Sequence, residues 1–389
     1  MSRISFDVDL SSLCRNRIIS LRQGKKQYAI PTEPVYQDLL QFLNLNKQGY
    51  RFSLIDLLHV AGIKMLGLPS VTKRKVTLFA TGGLYLTLDH NHPDLAIRKT
   101  FGDFTSGFSH LFGVAIAVML ASEAYSIPWD CLNPIPVNKK RTLDYQVELP
   151  NNSGWLQLEA KGVTSETSLS NAKQSTYRKK IINPRKLQSR KKQFADPTAM
   201  VGVITQAARK PSERGVIEVV DPEYDPEPRT RLPNNQRAGM FLHYAGIARF
   251  AGLPNVADEL SQRANALIKG QDYLIHRRRF EFNQRGLTEI QGLEVIGVQW
   301  RIYNSIADES NLWFYHAMDL KRLSLLLGKN EFLPTRPYHR NEVNKGNRLI
   351  ESFLPDGSYF GIGLEPQEGL EIINQQETDL DRLQLIELK

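Results

Sequence analysis

Hydrophobic and polar residues alternate along residues 143–149 and again along residues 154–162. Period-two alternation is produced by a strand with one buried face, so both segments are predicted to be strands. The PNNSG sequence where they meet is rich in turn-forming residues. The pattern therefore predicts a β-hairpin whose polar face gathers Asp144, Glu159 and Lys161.

The segments around the hairpin have their own periodicity. Apolar residues at helical spacing predict a helix over residues 106–125, and a second helix is expected over residues 169–182, where Pro184 ends it. The short apolar run at 198–206 is typical of a buried strand. The order helix, strand, strand, helix, strand predicts an α/β fold with a mixed sheet flanked by helices.

The rest of the chain differs in composition and pattern. Four prolines stand among charged residues at 221–233, which is typical of a linker. From residue 238 onward the pattern favours helices, including amphipathic pieces at 312–327, with one candidate strand at 293–300. The predicted division is an N-terminal α+β region (1–104), an α/β core (105–220), a Pro-rich linker (221–234) and a mainly helical C-terminal domain (235–389).

Composition places the protein in a broad class. A hydrophobic content of 41% and a charged content of 23% are ordinary for a globular protein. The two cysteines, Cys14 and Cys131, offer neither a disulfide framework nor a metal-ligand spacing, which suits a reducing compartment. The N-terminus does not resemble a signal peptide, and the longest apolar run, residues 111–121, is too short to cross a bilayer. The prediction is a cytoplasmic protein with no membrane partner.

The polar side chains of the hairpin suggest a chemistry. Two carboxylates and an ammonium that converge can hold a divalent cation and position a water molecule against a phosphate. The pattern Asp144, fourteen residues, then Glu159-Ala160-Lys161 resembles the PD-(D/E)XK nuclease superfamily, with Leu143 where the superfamily name has proline. The resemblance covers roughly residues 105–220 and implies a restriction endonuclease-like sheet.

The resemblance also implies an activity and a set of roles. The chain is expected to be a Mg²⁺-dependent endodeoxyribonuclease, with Mn²⁺ able to substitute. Asp144, Glu159 and the Ala160 backbone carbonyl are expected to coordinate the metal. Lys161 is expected to orient or deprotonate the attacking water and to neutralise charge on the phosphoryl oxygens.

Two flanking residues are further candidates. Glu123 falls on the apolar stripe of the first helix, and the resemblance implies a metal ligand or a neighbour of one; the alternative is a helix-end glutamate directed outward. Gln174 precedes Tyr177 by three residues, similar to a Gln-Tyr pair that some superfamily members place behind the lysine, although the usual spacing is one residue longer. The alternative for Gln174 is an ordinary polar helix face.

The charge of the chain is concentrated in one stretch. The net charge is +9, and residues 178–192 hold eight basic residues and no acidic one. These residues are Arg178, Lys179, Lys180, Arg185, Lys186, Arg190, Lys191 and Lys192. A charge run can be a solvated face or a tether, but beside a candidate phosphodiesterase site it favours contact with the DNA backbone.

Alternatives from other classes stay open. One is a non-catalytic nucleic-acid-binding protein on the same fold, another is a small-molecule enzyme, and a third is an edge hairpin with a solvated polar face. For a nuclease, double-strand cleavage favours a homodimer, because a single site cuts only one strand at a time. Restriction, phage defence, transposition and repair are all compatible with the pattern, as is a protein partner that directs targeting.

Overall fold

The fold is that of a computed structural model, which describes the chain in segments separated by gaps. The described residues are 16–23, 34–66, 88, 94–97, 104–135, 143–149, 154–176, 199–210, 212–220, 233–271, 286–302, 312–328, 335–338 and 349–372. Helices and strands both contribute substantially, so the protein is mixed α/β.

The helices and strands have the following bounds. The α-helices of the described segments are α1 (Pro34–Leu45), α2 (Leu54–Leu66), α3 (Phe104–Ala124), α4 (Glu166–Ser175), α5 (Pro233–Phe250), α6 (Pro254–Ile268) and α7 (Leu320–Gly328). The strands are β1 (Asn16–Gln23), β2 (Tyr50–Ser53), β3 (Asn133–Pro134), β4 (Tyr145–Glu148), β5 (Trp155–Val163), β6 (Ala199–Gln206), β7 (Val216–Val220), β8 (Leu287–Ile290), β9 (Leu293–Ile302), β10 (Leu312–Asp319), β11 (Leu349–Phe353), β12 (Ser358–Gly363) and β13 (Glu371–Ile372).

The predicted hairpin lies inside a seven-stranded sheet with the order β2-β1-β7-β6-β5-β4-β3. β4 and β5 are antiparallel, β5 and β6 are parallel, and β3 covers the outer side of β4. Gly154 closes the turn, because its φ of 103° is a conformation that favours glycine and its carbonyl accepts a hydrogen bond from the Leu149 N–H. The alternative of an edge hairpin is therefore wrong, because β3 pairs with the outer side of β4.

Helix α3 forms the centre of the core. Every residue from 112 to 122 is buried, because α3 packs on β5 and β6 on one side and on α2 on the other. A helix that is apolar on all sides is normally enclosed in this way. The stretch Gly107–Ala124 is long and apolar enough to cross a membrane by length and composition alone, but most of it is buried inside the protein. That burial is typical of a core helix.

The prediction of a mainly helical C-terminal domain is wrong. Beyond the helix pair α5 and α6, the chain forms a six-stranded sheet in the order β11-β12-β10-β9-β13, with β8 paired to β9. Residues 312–327, expected to be helical pieces, are strand β10 followed by helix α7. β10 is almost wholly buried, and a buried apolar run lacks the periodicity that separates a strand from a helix.

The predicted segments share one structural core. β1 and β2 from the N-terminal region pair with each other and, through β7, extend the same sheet as the hairpin. A single cluster of buried apolar side chains includes residues of α2, α3 and α5 and of the second sheet. The boundary predicted near residue 104 is thus crossed by a common sheet, and the boundary near residue 221 by a common core.

Candidate metal-dependent site on the β4–β5 hairpin

Asp144 lies at the open end of the hairpin, opposite to the turn, and directly precedes β4. Its N–H donates to the Leu158 carbonyl at 3.0 Å, and its own carbonyl accepts from the Ile135 N–H at 2.8 Å. The side-chain oxygen Oδ2 accepts from the Ala160 N–H at 2.9 Å. The half-buried carboxylate is thus held by a hydrogen bond from β5, and the Asp144 backbone is held by β5 on one side and by Ile135 on the other.

The Ala160 backbone is turned toward this carboxylate. The N–H and C=O groups of one strand residue point to the same edge of the strand, and the Ala160 N–H points to Asp144. The Ala160 carbonyl therefore faces the same side as the Asp144 carboxylate. Both groups therefore offer oxygen atoms to the same side of the strand.

Glu159 and Lys161 lie on the same face of β5, opposite to the face that carries Leu158 and Ala160. The Glu159 side chain is 1% exposed, and the Lys161 side chain, 27% exposed, places its Nζ 3.6 Å from the Glu159 Oε1. Leu158 and Ala160 alternate with them and pack into the α3 side of the core. The buried carboxylate is therefore bordered by an ammonium that reaches solvent.

Helix α4 covers the neighbouring part of that face. Leu169 and Ala172 pack with Ile204 of β6 and with apolar residues of β7. Lys173 donates to the Glu218 carboxylate at 3.1 Å. Ile204 is the register partner of both Lys161 and Glu218, so two Lys–Glu pairs stand side by side on one face of the sheet.

The opposite face of β5 is held against α3 by two glycines. A Cβ at Gly113 would lie 2.4 Å from the Gly162 nitrogen, and a Cβ at Gly162 would lie 1.5 Å from the Ser109 carbonyl oxygen. The helix and strand backbones therefore touch directly beside Lys161. This contact fixes the distance between α3 and the strand that carries the Glu-Ala-Lys sequence.

Glu123 lies on α3, which packs against the face of β5 opposite to Glu159 and Lys161, and it stands ten residues, or about 15 Å of helix rise, beyond Gly113. Burial chiefly raises the pKa of Tyr338, whose hydroxyl donates to Asp56, and the nearby Asp56, Tyr50 and Glu123 add to that shift. Within the described segments, no three His, Cys, Asp or Glu side chains form a group that could hold a metal ion.

The other predicted site residues lie on or beyond α4. Gln174 is exposed on the solvent side of that helix, whereas Leu169 and Ala172 form its buried side. Tyr177 and the whole basic stretch from 178 to 192 lie outside the described residues. The structure therefore brings together Asp144, Ala160, Glu159 and Lys161, and places Gln174 away from the buried side of α4.

Sequence reasoning missed a second concentration of polar groups. Asp56, His59 and Lys64 are all buried on the otherwise apolar helix α2. Lys64 contacts His243, which in turn contacts Asp356. The available signal was the presence of three titratable residues in the apolar sequence LIDLLHVAGIKML, but their partners lie far away in sequence.

Comparison of the chain with protein-family models, with curated proteins and with solved structures gives no match.

Proposed function

We propose that the protein is a metal-dependent nuclease with a restriction endonuclease-like core and that DNA is its substrate. The observation that supports the proposal is the hydrogen bond from the Ala160 N–H to Asp144, which joins the Asp144 carboxylate to the strand that carries Glu159 and Lys161. The order α3, β3, β4, β5, α4, β6 supports it, because the expected helix, hairpin, helix and strand follow one another along the chain and the strands lie in one sheet.

The donor set suits magnesium. Carboxylates and a backbone carbonyl are hard oxygen ligands, which Mg²⁺ prefers while it keeps several waters. Asp144, Glu159 and the Ala160 carbonyl would hold the ion. When bound, the ion supplies Lewis-acid polarisation of the phosphate and a more acidic water.

Lys161 supplies the remaining function. Its ammonium is partly exposed and lies beside a buried carboxylate, so it can contact a phosphate that approaches from solvent while it stays oriented by Glu159. Positive charge at that point stabilises the negative charge that develops on the phosphoryl oxygens as water attacks phosphorus. The 178–192 basic stretch would grip the backbone without reading the sequence.

The test is cleavage and DNA binding measured together, on plasmid and on single-stranded DNA, with and without Mg²⁺ or Mn²⁺. Asp144→Asn and Glu159→Gln each remove a charged ligand and should abolish metal-dependent cleavage. Both should tighten metal-free DNA binding, because a charge that repels phosphate is lost. Lys161→Ala should retain binding and lose about a hundredfold or more in rate.

Lys173→Ala and Glu218→Gln are the matched controls. They disrupt the neighbouring Lys–Glu pair on the same sheet face but leave the Glu-Ala-Lys sequence intact. Cleavage should survive in both controls. Wild-type cleavage that persists in all three site variants would refute the proposal, and DNA binding without any cleavage by the wild type would favour the non-catalytic alternative.

A further inference from the structure

Gln146 is a buried polar residue on the strand that follows Asp144. It lies in β4, where β3 covers its outer side, and it is only 5% exposed. Among the described residues its side-chain oxygen Oε1 has no hydrogen-bond partner. A buried polar atom normally has a partner, because burial removes the water that it would otherwise bind. The Gln146 oxygen therefore keeps its lone pairs for a hydrogen-bond donor or a cation.

The register of the hairpin places Gln146 beside the candidate site. Gln146 lies opposite Gln157 of β5, and opposed residues of an antiparallel pair direct their side chains to the same face. Glu159 lies two residues further along β5 and shares that face. Diagonal neighbours of this kind are about 7–8 Å apart, which is within reach of long side chains. The Gln146 amide can therefore approach the Glu159 carboxylate.

Asp144 is also close to this amide. It precedes Gln146 by two residues, which corresponds to about 7 Å along a strand. Its carboxylate is held toward β5 by the hydrogen bond from the Ala160 N–H. Gln146 thus lies between two carboxylates, one on its own strand and one on the next strand.

The chemistry of the donor set favours a neutral third side chain. Within the described segments, no three His, Cys, Asp or Glu side chains form a group that could hold a metal ion, so a third carboxylate does not accompany Asp144 and Glu159 there. Carbonyl oxygens suit Mg²⁺ and Mn²⁺ as well as carboxylates do. An amide oxygen therefore adds a ligand without adding charge.

A neutral ligand also suits an anionic substrate. A divalent cation, two carboxylates and the Lys161 ammonium leave the loaded site with one net positive charge. A third carboxylate would cancel that charge, whereas glutamine preserves it. Positive charge attracts a phosphodiester, so the glutamine strengthens cation binding without weakening the attraction for DNA.

We propose that the Gln146 amide oxygen is a further ligand of the cation assigned to Asp144, Glu159 and the Ala160 carbonyl. This inference rests on the proposed function, and it adds a residue that the Asp and Glu-Ala-Lys pattern does not contain.

The experiment measures Mn²⁺ binding to the full-length protein by electron paramagnetic resonance of the free ion, so it needs no cleavage. The wild type should bind Mn²⁺, and Asp144→Asn should lose that binding. Gln146→Leu should weaken the affinity by about tenfold or more, because loss of a group that merely supports a ligand already costs about 10–100-fold.

Gln206→Leu is the matched control. Gln206 is 6% exposed, and its Oε1 likewise has no hydrogen-bond partner among the described residues. It lies on β6, four residues or about 13 Å beyond Gly202, the register partner of Glu159. Gln206→Leu should bind Mn²⁺ as the wild type does. An equal loss of affinity in both leucine variants would reflect general repacking and would overturn the proposal.

Stability without metal separates a ligand from a structural amide. Replacement of an unpaired buried amide by an apolar side chain of similar volume is nearly neutral or stabilising. Metal-free Gln146→Leu should therefore unfold at the urea concentration of the wild type or above it. A lower urea midpoint with unchanged Mn²⁺ affinity would show that Gln146 only supports the fold, and the proposal would be wrong.

Gln146→Glu decides the question if the leucine variant does not fold, because glutamate has the shape of glutamine. It should bind Mn²⁺ several-fold more tightly, since it adds a charged ligand, and the Mn²⁺-loaded protein should bind DNA more weakly. If both Gln146 variants bind Mn²⁺ like the wild type while Asp144→Asn does not, the role of Gln146 is refuted and the proposed function stands. A wild type that binds no Mn²⁺ would refute the proposed function and this inference together.

Discussion

Replacement of Gly162 by alanine is the most direct test of how α3 positions the candidate site. The added Cβ would lie 1.5 Å from the Ser109 carbonyl oxygen, 2.2 Å from the Ser109 carbonyl carbon and 2.8 Å from the His110 nitrogen. All three atoms belong to the helix backbone, so no side chain can rotate to relieve the overlap. Ordinary contact requires the helix and the strand to separate by about 2 Å.

The cost of that separation follows from the burial of α3. Residues 112–122 are enclosed on all sides, so a shift of the helix disturbs its packing against both β5 and α2. Overpacking of a close-packed core typically costs about 1–3 kcal/mol, and a backbone overlap belongs at or above the upper end of that range. We expect Gly162→Ala to lower the free energy of unfolding by about 3 kcal/mol or more.

The assay is urea denaturation followed by circular dichroism, with Gly107→Ala as the control. Gly107 is also on α3, but a Cβ there would have no atom within 4 Å. Alanine at Gly107 should raise the free energy of unfolding by about 0.5–1 kcal/mol, because glycine is a poor helix former. If Gly162→Ala is as stable as Gly107→Ala, the helix and strand do not touch as described.

Three further predictions follow from buried charges, the shared core and the basic stretch. Burial lowers the pKa of His59 to about 3, below its unfolded value. The unfolded chain therefore binds a proton at His59 that the folded chain does not, so the free energy of unfolding should fall as pH drops from about 6.5 toward 3. The fall should be up to about 1.4 kcal/mol per pH unit for this residue. His59→Gln should flatten that slope in urea titrations at pH 7 and pH 5, and an unchanged slope would contradict this origin. Limited proteolysis between residues 221 and 233 should yield two fragments that co-elute in native gel filtration, because one apolar cluster spans both; fragments that separate without denaturant would contradict a shared core. Replacement of Arg185, Lys186, Arg190, Lys191 and Lys192 by glutamine should weaken DNA binding equally for all sequences and flatten its salt dependence by about 0.9 in log–log slope per lost contact; unchanged affinity and slope would identify a solvated tether.

The local pattern of the sequence was sufficient to predict the elements around the candidate site. The helix expected over 106–125 is α3, the alternating segments are β4 and β5, and the apolar run at 198–206 is β6. These predictions are confirmed. The alternation of β4 and β5 records one buried face, whereas α3 and β6 are apolar segments whose different lengths, 21 and 8 residues, separate a helix from a strand. The Asp144 and Glu-Ala-Lys pattern likewise identified residues that the structure places at one hairpin.

Other features were decided only by the tertiary structure. β10 was read as helical because a strand buried on both faces has no alternation to reveal it. The placement of β1 between β2 and β7 rests on pairings between distant segments. Lys64, His243 and Asp356 meet across separations of 179 and 113 residues. Local periodicity reports which side of a segment is buried, whereas the partner of each buried polar group is set by packing between segments that no local pattern encodes.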